Sequence, residues 1–84
     1  MSSEQTEARV RTVLAEACRR DVSSLGPDDD LVETLGLDSL QGLQVLARLE
    51  GRFGVRFPDE RLAELRTLRQ LTSAIQDAGR GRTP

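Results

Sequence analysis

Apolar residues in this chain recur at helical spacing, in stretches separated by polar breaks marked with glycine and proline. Val10, Val13, Leu14, Ala17 and Cys18 lie three and four apart, which predicts an amphipathic first helix from about Glu4 to Arg20. Ser2 and Gln5 are spaced for a capping box at its start. From Asp21 to Asp38 no period is sustained. Gly26-Pro27, three consecutive aspartates and Gly36 predict a long loop there, with Leu25, Leu31, Leu35 and Leu37 turned inward. A second helix is expected from Ser39 to about Phe53, burying Leu43, Leu46, Leu49 and Phe53. Asp38 and Gln41 supply its cap, and Gly54 its stop. Phe57-Pro58-Asp59-Glu60 then opens a short helical turn carrying Leu62 and Leu65, since proline and acids suit a helix N-terminus. Thr67 and Gln70 form a further capping pair, and Leu68, Leu71, Ile75 and Ala78 mark a last helix ending at Gly79. No repeat and no alternating strand pattern appears. The predicted fold is all-α: a small four-helix bundle of three longer helices and one short one, with a long loop between helices 1 and 2. The bundle takes residues 1–79, and 80–84 are expected to be a disordered tail.

Composition narrows what such a bundle can do. At 84 residues there is room for one domain with a thin core. Apolar residues at 37% and charged ones at 31% place it with folded proteins, not disordered ones. Histidine is absent, so a Ser-His-Asp or Cys-His catalytic group is excluded. One cysteine makes neither an internal disulfide nor an ordinary zinc site. No apolar run approaches the roughly 20 residues that cross a bilayer, and Met1-Ser2-Ser3-Glu4 lacks a basic, apolar signal. A reduced, cytoplasmic and monomeric protein, free-standing from Met1 and not bound to membrane, is expected.

Charge is uneven. Between Asp21 and Glu64, ten acids face four arginines, a balance of −6, while the remainder holds eight arginines and four acids. An acidic middle argues for a basic partner surface and against nucleic acid, and no basic recognition helix is present. All twelve basic residues are arginine, which reads as compositional bias. Asp28-Asp29-Asp30 does not continue into a calcium loop, because Val32 and Ser39 stand where oxygen ligands belong; a solvated acidic loop is expected. Cys18 falls on the apolar face of the first helix, as a buried and inert thiol. Gly42 inside the second helix reads either as a close approach by a partner or as simple tolerance.

The candidate chemistry lies in Leu35-Gly36-Leu37-Asp38-Ser39-Leu40, where the loop enters the second helix. With Asp38 as cap, Ser39 stands in the first turn, off the leucine stripe and facing water. Free N–H groups and the positive end of the helix dipole favour a phosphate on that hydroxyl. Leu37 and Leu40 flank it with apolar surface, and no base is available to make it a nucleophile. The serine is modified or structural; no residue is catalytic and none binds metal.

This hexapeptide resembles the attachment motif of acyl carrier proteins, and the similarity runs along nearly the whole chain. It takes in the first helix, the long loop, the helix after the serine, Phe53, Phe57-Pro58-Asp59-Glu60 and the closing helices. The resemblance implies that Ser39 carries a 4′-phosphopantetheine arm, taken from coenzyme A by a phosphopantetheinyl transferase. The thiol of that arm would hold acyl groups as thioesters for synthases, transferases or ligases. Asp38 would help position the transferase and its metal. Leu37, Leu40, Gln41, Gln44, Ala47, Arg48 and Glu50 would meet partner enzymes, and Leu31, Leu43, Leu46 and Ile75 would line a shelter for the acyl chain.

One departure matters. Carriers of fatty-acid synthesis have a strongly acidic second helix, whereas between Ser39 and Phe53 only Glu50 is acidic here, beside Arg48 and Arg52. The expectation is therefore a specialised pathway, such as polyketide or other secondary-metabolite assembly. The alternatives are a peptidyl or D-alanyl carrier loaded by an adenylating ligase, and a helical adaptor in which Asp38-Ser39 only caps a helix.

Overall fold

A computed structural model describes residues 2–81. Helix α1 spans Ser3–Cys18, α2 Leu31–Leu35, α3 Ser39–Phe53 and α4 Leu68–Gly81, with a 3-10 turn at Asp59–Glu64. Among the described residues there is no strand, and no helix is long and apolar enough to cross a membrane.

Each long helix begins where a side chain can accept its first free N–H groups. Ser2 and Gln5 close a reciprocal capping box on α1, and Asp38 and Gln41 do the same on α3. At α4, Thr67 Oγ1 accepts from Gln70 N–H at 3.1 Å while Gln70 Oε1 accepts from Thr67 N–H at 3.1 Å. Gly54 ends α3 in the left-handed conformation, φ 64°. The last helix continues through Arg80 to Gly81, past the expected end at Gly79, because Gly79 keeps helical geometry. The remainder of the expected tail, 82–84, lies outside the described residues.

The stretch between α1 and α3 departs most from its expected form. Leu31–Leu35 is helical, capped by Asp30 and closed by Gly36 at φ 65°. Five residues span too little of a helical period to show in the pattern of the sequence. Nor are the three aspartates merely solvated. Asp28 forks onto the Arg69 guanidinium at 2.8 and 3.1 Å, Asp29 accepts from Gly26 N–H, and Asp30 takes both Glu33 N–H and Arg66 Nε. Two backbone bonds fasten the same seam, Leu31 N–H to Arg66 O at 2.7 Å and Arg69 N–H to Pro27 O at 3.0 Å. The acidic block thus finds part of its basic complement inside the molecule, at the start of α4. The Arg69 and Arg66 guanidiniums hold Asp28 and Asp30 below the ordinary carboxylate range.

The core draws on all four helices. Val10, Val13 and Leu14 of α1 meet Val45 and Leu49 of α3 and Leu68, Leu71 and Ile75 of α4, while Leu31 and Leu35 of α2 close one end. Leu14, Leu49 and Leu68 are wholly buried. The expected stripe on α3 is rotated: Leu43 is 55% exposed and Val45 is buried in its place. Leu43 lies about a third of a turn from the line through Val45, Leu49 and Phe53, so the helix cannot bury both. Phe53 sits at the edge of the core with the Arg9 guanidinium 4.6 Å above its ring.

Candidate functional site

Three lines of side chains run along α3 and face three environments. Val45 and Leu49 face the core. Ser39, Leu43 and Leu46, spaced i, i+4 and i+7, face a groove shared with α2 and the 3-10 turn. Gln41, Gln44 and Arg48, spaced i, i+3 and i+7, face a second groove bounded by the end of α1.

Ser39 is the first residue of α3 and is exposed. Its local geometry is set by Asp38, whose carboxylate accepts Gln41 N–H at 2.8 Å, while Gln41 Oε1 accepts Asp38 N–H at 3.1 Å. The Asp38 carbonyl takes Gly42 N–H at 2.9 Å. The cap therefore belongs to Asp38. Among the described residues the Ser39 hydroxyl makes no hydrogen bond, and the N–H groups of Ser39 and Leu40 have no acceptor. Such a helix start tolerates a phosphate bound to the serine oxygen, with two free donors and the helix dipole beside it. The residues present thus fit a phosphodiester-linked arm.

The sequence pattern sets Ser39 off the leucine stripe of its helix, but the structure lines it up with Leu43 and Leu46. Ser39 stands at the mouth of an apolar groove of about 440 Å³, whose walls include Leu31, Val32, Leu43, Leu46 and Leu62. Of the four residues expected to shelter a chain, Leu31, Leu43 and Leu46 meet here. Ile75 does not; it is packed in the core from α4. Sequence reasoning missed Val32 and Leu62 because both belong to short elements with no periodic signature.

The expected partner-facing residues divide as well. Leu37, Gln41, Gln44, Ala47 and Arg48 share the second groove, and Leu40 projects alone at 65% exposure. Glu50 is half-buried and turned away from them, its carboxylate accepting Phe57 N–H at 2.8 Å. The exposed face of α3 is left without an acid. Cys18 is only partly buried, in the wall of the second groove; desolvation raises its thiol pKa, against a smaller lowering by Arg20.

With that geometry in hand, three comparisons bear on the chain. Residues 8–75 match the family model described as phosphopantetheine attachment site. The meromycolate extension acyl carrier protein of Mycobacterium leprae is 30% identical over 76 residues, covering 90% of this chain and 66% of that protein. The acyl carrier protein of Helicobacter pylori is 31% identical over 68 residues, covering 81% of this chain and 87% of that one. The chain thus spans just under two thirds of the mycobacterial relative's length. In three dimensions, the crystal structure of an acyl carrier protein from Thermotoga maritima superposes with a TM-score of 0.80 over 96% of this chain and 94% of that one, at 18% identity.

Proposed function

The chain belongs to the acyl carrier protein family, whose members are non-catalytic and bear a covalent 4′-phosphopantetheine, and on that premise we propose that Ser39 is its attachment site and that acyl groups ride on the arm as thioesters. One observation carries this reading. Among the described residues that line the apolar groove, Ser39 carries the one hydroxyl; it is exposed, holds no hydrogen bond and sits beside two free N–H donors. In loading, the Ser39 oxygen attacks the β-phosphorus of coenzyme A. A new P–O bond forms, the pyrophosphate link breaks, and adenosine 3′,5′-bisphosphate departs. The base and the metal for that step belong to the transferase, and Asp38 presents the serine to it.

The arm then works beside a groove that offers apolar cover to a short acyl chain, with about 0.8 kcal/mol for each methylene withdrawn from water. The exposed face of α3, with Gln41, Gln44 and Arg48 and no acid, suits partners other than those that grip an acidic helix. That charge pattern supports a specialised pathway such as polyketide or other secondary-metabolite assembly.

The test is intact-mass measurement after incubation with coenzyme A and a broad-specificity phosphopantetheinyl transferase. A gain of one phosphopantetheinyl group on the peptide holding Ser39 is expected. Ser39→Ala should abolish the gain and leave the helical circular dichroism and melting temperature essentially unchanged, because the cap is Asp38. Loading of the alanine variant, or no loading of the parent protein by an active transferase, refutes the assignment. Loading by amino-acid adenylates in place of acyl donors would instead identify a peptidyl or D-alanyl carrier.

A further inference from the structure

The second groove, of about 750 Å³, differs in kind from the apolar one beside Ser39. Leu35, Leu37 and Val45 contribute apolar surface to it, and Arg19, Arg20 and Arg48 stand along its walls; among the described residues no acid lines it. None of these three arginines forms an ion pair among the described residues, whereas Arg11, Arg52, Arg61, Arg66 and Arg69 all do. Acids nearby in sequence are engaged elsewhere: Glu16 with Arg52, Asp21 with Ser23 N–H, and Glu50 with Phe57 N–H. Arg20 is also held in place, its guanidinium donating to the Leu35 carbonyl at 3.1 Å. In a chain of net charge −2, three of the arginines without an ion pair among the described residues share one concave surface, while Arg56 lies outside it.

Backbone geometry supplies a second, independent observation. Helices α2 and α3 end on glycines in the left-handed conformation, Gly36 and Gly54, but α1 ends on Arg19 at φ 54°. An L side chain is strained there and glycine is not. The strained position bears one of the three groove arginines.

We propose that this groove docks an acidic segment of a partner protein, the guanidiniums taking its carboxylates in forked pairs while an apolar side chain rests against Leu37 and Ala47. The inference deepens the carrier reading and rests on it, since a carrier must be gripped by other proteins. Arginine forks match carboxylates in geometry, and the Gln41 and Gln44 amides add neutral hydrogen bonds. A short peptide suits the site better than a long polyanion. An extended nucleic acid or an anionic bilayer would reach beyond the groove and meet the exposed Asp21, Glu33 and Asp38, which repel it.

The probe is a synthetic ten-residue peptide of glutamate and leucine, titrated into the isotope-labelled full chain and followed by amide chemical shifts. Shifts are expected to cluster at Arg19, Arg20, Gln41, Gln44 and Arg48, and affinity should weaken steeply as salt is raised. The glutamine–leucine counterpart should not bind. Arg19→Gly combined with Arg48→Gln should weaken the acidic peptide at least tenfold while the melting temperature stays level or rises. Unchanged binding by that variant, or shifts centred elsewhere, overturns the proposal. Equal binding of a single-stranded oligonucleotide or of phosphatidylserine vesicles at the same residues also overturns it. Phosphopantetheine loading of the parent protein is measured beside it, so failure of the carrier reading and failure of this one are told apart.

Discussion

Gly36 and Gly42 stand on either side of the start of α3 and have opposite roles in the molecule. A Cβ added at Gly42 meets nothing within 4 Å and the backbone there is helical, so no contact within the protein requires glycine. Gly42→Ala should raise stability by about 1 kcal/mol, seen as a higher urea midpoint at unchanged slope. If loading at Ser39 falls in that variant, a close approach by the transferase or arm is the reason for the glycine. Gly36 also has open space, but its φ of 65° is strained for an L side chain, and Gly36→Ala should lower stability by about 1 kcal/mol in the same assay. At this scale Ser39 and its cap were legible, because a capping box is a local pattern. The left-handed Arg19 was not, since arginine carries no turn signal.

The seam between the loop and α4 shows what elements do that residues cannot. Asp28 and Asp30 are held below the ordinary carboxylate range by hydrogen bonds from Arg69 and Arg66. The unfolded chain therefore binds these protons more readily than the folded one. Their contribution is complete above about pH 4 and is lost as pH falls through the lowered folded values. The prediction is that the urea midpoint drops between pH 6 and pH 3 by more in the parent protein than in Asp28→Asn/Asp30→Asn. An equal drop would mean that the seam is held by its backbone bonds alone. Helix α2 belongs to this seam: Asp30 caps it, Leu31 N–H reaches Arg66 O, and Arg20 reaches the carbonyl of its last residue, Leu35. The bonds that join it to the rest of the molecule are therefore largely tertiary, which is why the pattern along the chain read as loop.

For the whole molecule, marginal stability is the governing fact, because so short a chain buries little surface. Leu49 is wholly buried, and Leu49→Ala should cost about 2–5 kcal/mol, enough to collapse the cooperative thermal transition followed by circular dichroism. Leu43→Ala, at 55% exposure, should leave that transition nearly in place. The sequence alone put the same weight on both leucines. By itself it determined that the fold is helical, where the long helices start, and that Ser39 stands on a capped helix start beside an acid and two leucines. Those properties follow from spacing and side-chain chemistry within a turn or two. Tertiary structure decided the rotation of α3 about its axis, which sends Leu43 and Ser39 to an apolar groove and Arg48 to a basic one. It also decided that the aspartates pair with Arg66 and Arg69 and do not wait for a partner. Rotation and pairing depend on which helices meet across the core, and contacts between residues tens of positions apart leave no local mark on the chain.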